Sequence, residues 1–418
     1  MVAIVVGAVT ISRTTTEPPS SAPAGTPAPG QIVAGPPIAS YVSSGQVPPY
    51  YVATASHGNP NVNPSYAVVQ ATASGRTLAT IQASVAHGTI VAVTAAADDR
   101  TFVLDEQRWG TSDTQNFEPR TFYEFRLNSS GQPGPLTRLP ISVPHGELMT
   151  GLALSPTGRK LAMAVQPDNN KEKPNLTVVS VYTLATGAVR TWTGNGTIGS
   201  SGDDARSLSW ADDERTLAFD WAAAGPGIHT GVWLLSLGDR GSNLIADSRQ
   251  AVSLFNVGAQ GAQAQVRAPA TASPGATVIP VAGAASATAT PPSSSALLSQ
   301  ATCQQDTVMT PDGSAIVCGT IAVVNQTETA TGGLKRGAVT EFRAYSDATG
   351  KIKRILGRWS FASVGALSVE VLWSNASGSA LIGVIPDAGS GRAGVISGNT
   401  FTPLPAQVAS STAASGTW

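Results

Sequence analysis

The chain has 418 residues, of which 12% are charged, and its formal net charge is -1 at pH 7. A surface this close to neutral provides no field that attracts nucleic acid or an anionic membrane, so neither is expected as a partner of the folded part. The length exceeds that of most single domains, a limit that repeat folds escape by adding units.

The first eleven residues form one apolar run, which ends at Ser12-Arg13. A bilayer-spanning helix takes about 20 apolar residues. A signal peptide opens with basic residues, and none precedes this run. We expect residues 1–11 to be the second half of a single membrane anchor whose beginning precedes the chain. The alternative is a frayed or buried N-terminal strand.

Residues 12–48 contain two charges, Arg13 and Glu17, among many Pro, Ser, Thr, Ala and Gly residues. Such a segment cannot bury enough apolar surface to offset its ordering entropy, so we expect a disordered stalk or linker. An apolar run, a stalk and then a globular part are typical of a protein held at the cell membrane. We therefore expect the globular part on the extracytoplasmic side.

From residue 49 onward, two kinds of β-hairpin alternate. In the first, apolar strands flank Ser155-Pro156-Thr157-Gly158, and residues 310–317 repeat the pattern; looser copies turn near positions 99, 214 and 378. The second turns at a small residue and Gly, as in Ala185-Thr186-Gly187. Gly is favoured there because tight hairpins need a residue with positive φ.

Both hairpins recur at a period of about 55 residues once residues 257–300 are left out. That Ala/Ser/Thr/Pro/Gly stretch has Arg267 as its only charge, which favours a disordered insertion within one repeat. Two hairpins per repeat make a four-stranded antiparallel unit, and this predicts an all-β propeller of six, possibly seven, blades. A β-sandwich, the alternative, would not require the same turn at one period.

The expected boundaries follow from the repeats. The propeller should cover residues 49–406, followed by a flexible tail at 407–418. Because the opening strands are one hairpin short of a full unit, residues near the C-terminus should complete the first blade and close the ring.

The turn at residues 155–162 and the one at 310–313 resemble the S-P-D-G-x-x-L-A hairpin of TolB-like and WD-repeat-like bacterial propellers. The turn at residues 185–187 resembles the A-T-G turn between the last strands of their blades. The chain is also similar to membrane-anchored propellers of actinobacteria. The resemblance implies the fold and an anchored, extracytoplasmic domain. The Gly-His and Trp-Asp dipeptides of eukaryotic WD repeats do not recur here, so the scaffold role of that family is not implied.

Cys303 and Cys318 lie on either side of the turn at residues 310–313, nearly opposite one another on two strands. Outside the cytoplasm, thiols placed in this way form a disulfide, and we predict one here. Two buried free thiols are the alternative. A metal site is not expected, since no His or further Cys stands nearby in the sequence.

Three histidines are the candidates for a site at the rim of the propeller: His57, His87 and His145. His87 and His145 each precede a predicted inner strand, which places both on one rim. The acidic groups at Asp98-Asp99 and at residues 212–214 fall on hairpin turns, where Asp stabilises the turn through its own hydrogen bonds. No catalytic residue set, no cofactor motif and no metal-ligand spacing is recognised.

These observations lead to three functional hypotheses. The first is a membrane-tethered, extracytoplasmic propeller that binds another protein or a small ligand at one rim, without catalysis. The second is a propeller enzyme of the lactonase, peptidase or lyase type with a rim site. The third is the sensor domain of a signalling protein whose cytoplasmic part lies outside this chain.

Overall fold

The computed structural model describes residues 32–34, 47–56, 65–84, 88–108, 120–141, 143, 147–167, 177–194, 204–222, 231–238, 241–253, 303, 307–328, 334–364, 369–374, 380–386, 392–397, 400–404 and 416–417. The predicted anchor (residues 1–11) and the predicted insertion (residues 257–300) lie outside these ranges. Within the ranges, all regular structure is β-strand, and nothing there is a helix that could span a bilayer.

The strands form six antiparallel sheets, which are the blades of a propeller. Blade 1 comprises β1 (Ile32–Ala34), β2 (Tyr50–Ser56), β3 (Ser65–Ala71), β4 (Thr77–Ile81) and β25 (Gly416–Thr417). Blade 2 comprises β5 (Gly88–Ala95), β6 (Thr101–Arg108), β7 (Arg120–Arg126) and β8 (Thr137–Arg138). Blade 3 comprises β9 (Glu147–Leu154), β10 (Lys160–Pro167), β11 (Val178–Thr183) and β12 (Ala188–Thr193).

The remaining blades follow the same plan. Blade 4 comprises β13 (Asp204–Trp210), β14 (Thr216–Ala222), β15 (Gly231–Ser236) and β16 (Ser248–Ser253). Blade 5 comprises β17 (Val308–Met309), β18 (Ala315–Glu328), β19 (Leu334–Ser346) and β20 (Ile352–Val364). Blade 6 comprises β21 (Glu370–Ser374), β22 (Ala380–Ile385), β23 (Arg392–Ser397) and β24 (Thr400–Pro403). The predicted propeller fold is confirmed, with six blades.

The inner strands contact one another around the axis in the order β5, β9, β13, β17, β21 and β25, and β25 returns to β5. The ring is closed in blade 1, where β25 pairs with β2 through Val52↔Thr417 and Ala53↔Gly416. Closure by residues near the C-terminus matches the expectation from the repeats. Gly416–Thr417 lie within the predicted flexible tail, residues 407–418, and form a strand because blade 1 otherwise has no inner strand.

A second difference concerns the predicted linker. Residues 32–34, which fall within it, form β1 and pair with the outer strand of blade 1 through Ile32↔Ile81 and Ala34↔Ala79. An outer blade strand leaves one edge unpaired, and a short extended segment can satisfy it. Blade 1 is therefore a five-stranded sheet built from both ends of the chain.

The core is divided into six hydrophobic clusters, one at each junction between consecutive blades. Because side chains alternate along a strand, one strand serves two junctions. In β2, Tyr50 and Val52 pack towards blade 2, whereas Tyr51 and Ala53 pack towards blade 6. This explains why the middle strands are apolar at nearly every position, as in β22, where all six residues are buried.

We predict that deleting residues 405–418 lowers the midpoint of thermal unfolding, because the deletion removes β25 and leaves β2 without its inner partner. Differential scanning calorimetry of the truncated protein and the full chain measures the effect. Deleting residues 1–30, which spares β1, serves as the control and should leave the midpoint unchanged. Equal midpoints for all three proteins would contradict closure through β25.

Candidate functional site

The two faces of the disc differ in how their strands are connected. One face, called the turn face, carries the tight turns between the first two strands of blades 2 to 5, at residues 96–100, 155–159, 211–215 and 310–314. The opposite face, called the loop face, carries the connections between blades and those between the second and third strands. Most of the residues outside the described ranges fall in loop-face connections.

The predicted rim candidates His57, His87 and His145 lie outside the described residues, so no distance between them is defined. Their places in the chain are nevertheless given by strands that are described. His57 follows β2, His87 directly precedes β5, and His145 lies between β8 and β9. All of these strand ends are at the loop face, which is the face that sequence spacing predicts to be shared by His87 and His145.

The turns of the turn face are built by Asp side chains and by residues with positive φ. Asp98 Oδ1 accepts hydrogen bonds from the backbone N–H of Arg100 (3.0 Å) and of Thr101 (2.7 Å). Asp213 makes the equivalent pair of bonds in blade 4. The predicted structural role of these acidic groups is confirmed by this geometry. Positive φ recurs one residue later, with values of 53° at Asp99, 71° at Gly158, 50° at Glu214 and 70° at Gly313.

Neighbouring turns are bonded to each other across the blade junctions. The N–H of Ala97 donates to the carbonyl of Pro156 at 3.1 Å, and the N–H of Asp212 donates to that of Pro311 at 2.7 Å. Between blades 3 and 4, Glu214 Oε1 accepts from the N–H of Thr157 at 2.9 Å. The turn face is thus tied together from blade 2 to blade 5.

Burial, followed by neighbouring carboxylates, raises the pKa of two turn carboxylates, Asp99 and Asp212. Asp99 lies among the turn residues, and its burial, followed by the neighbouring Asp98 carboxylate, raises its pKa to about 6. Burial alone would raise the pKa of Asp98 and Asp213 too, but hydrogen bonds from their own turns outweigh it and lower both pKa values. Asp99 accepts none of these turn bonds.

Blade 5 departs from the repeat on the loop face. Its strands β18, β19 and β20 contain 14, 13 and 13 residues, whereas the strands of the other blades contain at most 8. β18 starts at the turn face and pairs with β19 as far as Glu328↔Leu334, well past the length of the neighbouring blades. The three strands therefore continue beyond the disc on the loop face.

The inner side of blade 5 is fixed by a disulfide, a β-bridge and two hydrogen bonds to blade 4. Cys303 and Cys318 form a disulfide with a Cα–Cα distance of 5.5 Å, and Cys303 forms a bridge with Thr320. Thr307 donates from Oγ1 to Oδ1 of Asp220 on blade 4 at 2.5 Å. Next to it, the N–H of Met309 donates to Ser209 Oγ at 3.0 Å. The chain that enters blade 5 is thereby held on both sides.

A cluster of buried charges lies in the middle of blade 5. Glu341 and Arg343 are 1% and 3% exposed, and Arg343 Nε donates to Glu341 Oε2. Arg358, directly opposite Glu341 on β20, donates from Nε to Oε1 at 2.8 Å. Burial alone would lower the pKa of Arg343, but Tyr345 and Glu341 outweigh it and raise the pKa. One carboxylate thus holds β19 and β20 together where the strands leave the disc.

A second buried pair lies in blade 2. Arg120 Nη1 donates to Asp105 Oδ2, while Asp105 Oδ1 and Arg120 Nε have no hydrogen-bond partner among the described residues. Burial raises the pKa of Asp105 to about 6, although Arg120 opposes this shift. A carboxyl group that titrates near neutral pH could act in acid–base chemistry. Its side chain is 0% exposed, however, so no substrate can reach it in this conformation.

The outer edge of blade 5 is the most exposed strand segment among the described residues that combines charge and apolar surface. All five residues from Lys351 to Ile355 are exposed. Sequence reasoning missed both this edge and the Glu341 cluster. A signal was present for each: Glu341 and Arg343 are two residues apart, which places them on one face of a strand, and residues 348–369 contain four cations and no acidic residue.

None of the described groups makes a recognised cofactor or metal site. Within the described ranges, no three His, Cys, Asp or Glu side chains are close enough to hold a metal ion. What the described part of blade 5 offers is a rigid, elongated sheet with an exposed cationic edge, which is suited to contact with another molecule.

Comparison with known proteins adds little beyond the fold. No protein-family model matches the sequence. No curated protein matches it either.

Several solved structures are similar in fold. The β-propeller domain of the Trilobed protease from Pyrococcus furiosus is 10% identical, with a TM-score of 0.33, and the match covers 76% of this chain and 72% of that chain. Prolyl oligopeptidase B from Galerina marginata is 9% identical, with a TM-score of 0.37 and coverage of 85% and 50%. An acylaminoacyl peptidase is 9% identical, with a TM-score of 0.32 and coverage of 59% and 31%.

The chain thus spans half or less of the two whole peptidases. All three similarities concern the fold alone, and the six-bladed propeller is established by the strand order described above.

We predict that Asp99→Asn flattens the pH dependence of stability. The pKa of Asp99 is about 6 in the folded state against 3.8 as the ordinary value, so its contribution is fully present below about pH 3.8 and is lost as the pH rises through 6. Relative to the variant, the wild type should therefore lose stability between pH 4 and 6. Asn also tolerates positive φ.

Asp213→Asn is the matched control for this experiment, because the pKa of Asp213 is lowered. Its loss should weaken the protein most at neutral pH, and the difference should shrink as the pH falls. Urea unfolding at a series of pH values measures both variants. The same slope for wild type and Asp99→Asn would contradict the first prediction.

We also predict that the Cys303→Ser/Cys318→Ser variant loses about 3 kcal/mol of unfolding free energy, because the disulfide closes a loop with a sequence separation of 15. Urea unfolding of the variant and of wild type, each with and without a reducing agent, measures the loss. Reducing agent should lower the stability of the wild type to that of the variant and leave the variant unchanged. No difference between oxidised wild type and variant would show that the crosslink does not contribute.

Proposed function

We propose that this chain is a membrane-tethered, extracytoplasmic propeller that binds another protein or a small ligand through its loop face and catalyses no reaction. The observation that carries the proposal is the elongation of β18, β19 and β20 beyond the disc on that face. Strands in propeller blades need only the height of the disc to bury the junctions between blades. Ala338 and Val364 in the extended part still pack in the junction with blade 6, but the strand length beyond the disc is available for a partner.

Two further observations support parts of this proposal. A disulfide between Cys303 and Cys318 favours an oxidising compartment, as outside the cytoplasmic membrane. The pairing of β1 with β4 runs antiparallel, so the chain that precedes Ile32 approaches the disc from the loop-face end of blade 1. A tether formed by residues 1–31 would then hold the propeller by its periphery.

A second candidate is a propeller enzyme with a rim site. The observation in its favour is that His57, His87 and His145 all belong to connections at the loop face, between strands of blades 1, 2 and 3. Histidines on one rim could share an acid–base role.

Site-directed crosslinking in cells that make the protein tests the binding role. A photoreactive amino acid at Thr327, in the projecting part of β18, should capture a partner in the cell envelope. The same amino acid at Thr186, an exposed residue of the turn face, is the control and should capture none. Capture from Thr186 alone would overturn the loop face as the binding surface.

Two measurements decide location and catalysis. Protease added to intact spheroplasts should digest the propeller if it lies outside the membrane, and protection would contradict that location. The purified protein should also turn over none of a broad panel of ester, lactone and peptide substrates. Turnover that is lost in both His87→Ala and His145→Ala variants would favour the enzyme instead.

A further inference from the structure

The outer strand of blade 5 is an unusually long edge. β20 has 13 residues, whereas the outer strands of blades 2, 3, 4 and 6 have 2, 6, 6 and 4. It is the terminal strand of its sheet, and among the described strands only β19 pairs with it. Edge strands present unpaired backbone groups to any extended segment, and proteins usually keep them short.

The turn-face end of this edge combines apolar and cationic side chains. Ile352 and Ile355 are 50% and 47% exposed, and they are two of the four large apolar residues exposed among the described residues. Lys351, Lys353 and Arg354 stand beside them, also exposed. Lys353 Nζ lies 3.2 Å from Ser314 Oγ, so its charge stays near the turn face.

The protein already completes one blade by adding a strand at its outer edge. β1 pairs with β4 in blade 1, and there both strands are uncharged, with the sequences Ile-Val-Ala and Thr-Leu-Ala-Thr-Ile. The added strand therefore matches the character of the edge that it covers. By the same rule, the Lys-Ile-Lys-Arg-Ile edge of β20 fits a strand in which apolar residues alternate with acidic ones.

Charge also excludes two other occupants. A second copy of β20 would bring two sets of cations, Lys351, Lys353 and Arg354, onto neighbouring strands of one sheet, where like charges repel. The two longest parts of this chain outside the described residues offer little negative charge: residues 1–31 contain Glu17 alone, and residues 254–302 contain no acidic residue. The shorter stretches hold acidic residues, such as Asp113 and Glu118 within 109–119, but they do not alternate them with apolar residues, so we assign the complementary strand to another protein.

We propose that residues 351–355, which comprise Lys351 and the first four residues of β20, form a docking edge for an extended acidic segment of another protein, which adds to blade 5 as a fifth strand. This inference rests on the proposed binding role, whose partner class it names, and it adds the outer edge of blade 5 near the turn face to the loop face as a contact surface. Backbone hydrogen bonds from the edge would supply affinity, and the lysines would select acidic side chains. Steering by opposite charges would make the association sensitive to salt.

The test uses a fluorescein-labelled nine-residue peptide in which Glu and Val alternate, titrated with the full chain and followed by fluorescence anisotropy. The wild type should bind it, and Lys351→Glu/Lys353→Glu should weaken binding roughly tenfold or more. The same double variant should gain binding to a Lys/Val peptide of equal length. Unfolding midpoints and circular dichroism establish that each variant is folded.

Two controls separate strand addition from general attraction. Arg138→Glu/Arg159→Glu reverses two exposed cations in blades 2 and 3, changes the net charge equally, and should leave binding of the Glu/Val peptide unchanged. A Glu/Val peptide with alternate backbone nitrogens methylated cannot pair as a strand and should not bind. Equal loss in both double variants, tight binding of the methylated peptide, or no binding of the unmethylated peptide overturns the proposal.

Failure of this test is distinguishable from failure of the proposed function. If the peptide does not bind but Thr327 still captures a partner in cells, the propeller is a binding module that uses its projecting strands and not the edge of β20. If the peptide binds and the purified protein also turns over a substrate, the docking edge stands and the non-catalytic role falls.

Discussion

The contact between consecutive blades is the interaction on which the whole molecule depends. A single four-stranded blade has two faces and can bury neither alone. Each junction here takes alternate side chains from two neighbouring sheets, as Tyr50 and Tyr51 show by packing into different junctions. A ring is the arrangement in which every blade finds two neighbours, so no blade can be removed without exposing two apolar faces.

Blade 5 packs against both of its neighbours, and its strands also extend beyond the disc. The part of its sheet within the disc packs against blade 6, with Trp359 in edge contact with both Phe342 and Phe401. Beyond Trp359, β20 continues to Val364, which is still buried in the junction with blade 6. A buried ion cluster is a costly way to hold strands together, since desolvation opposes the attraction of the charges. Glu341 recovers part of that cost by accepting hydrogen bonds from Arg343 and Arg358 on two different strands. The arrangement fixes the relative position of β19 and β20 more strictly than apolar contacts would.

Much of the fold could be predicted from sequence because its turns are chemically demanding. Gly158, Gly187 and Gly313 all have positive φ, a conformation that side chains disfavour, so a glycine there is a local signal that needs no tertiary information. Asp99 and Glu214 adopt the same conformation without glycine, which is why their hairpins were only loose copies in the sequence. The pairing of Cys303 with Cys318 was also accessible, because the hairpin between them sets the register.

The features that were missed depend on partners distant in the chain. Nothing in Ile32–Ala34 distinguishes a strand locally, since it is a strand only because an outer edge of blade 1 is open to it. Ring closure near the C-terminus was expected from the repeats, but the sequence did not identify Gly416–Thr417 as the closing strand. The histidine candidates are a second case in which the order of residues along the chain does not determine which side chains are in contact. Sequence order places them in loop-face connections, but only coordinates could tell whether their side chains meet.

The construction of blade 1 from distant segments has a consequence for how the protein is made. Blades 2 to 6 each form from one continuous stretch, so they can fold one after another as the chain emerges from the ribosome. Blade 1 cannot. Val52 pairs with Thr417, so β2 presents an open edge towards the axis until Thr417 has been synthesised. The growing chain is therefore an incomplete ring for most of its synthesis, with Tyr51 and Ala53 uncovered until blade 6 arrives. A chaperone that shields the first blade during translation or export would act at the most vulnerable stage of the molecule.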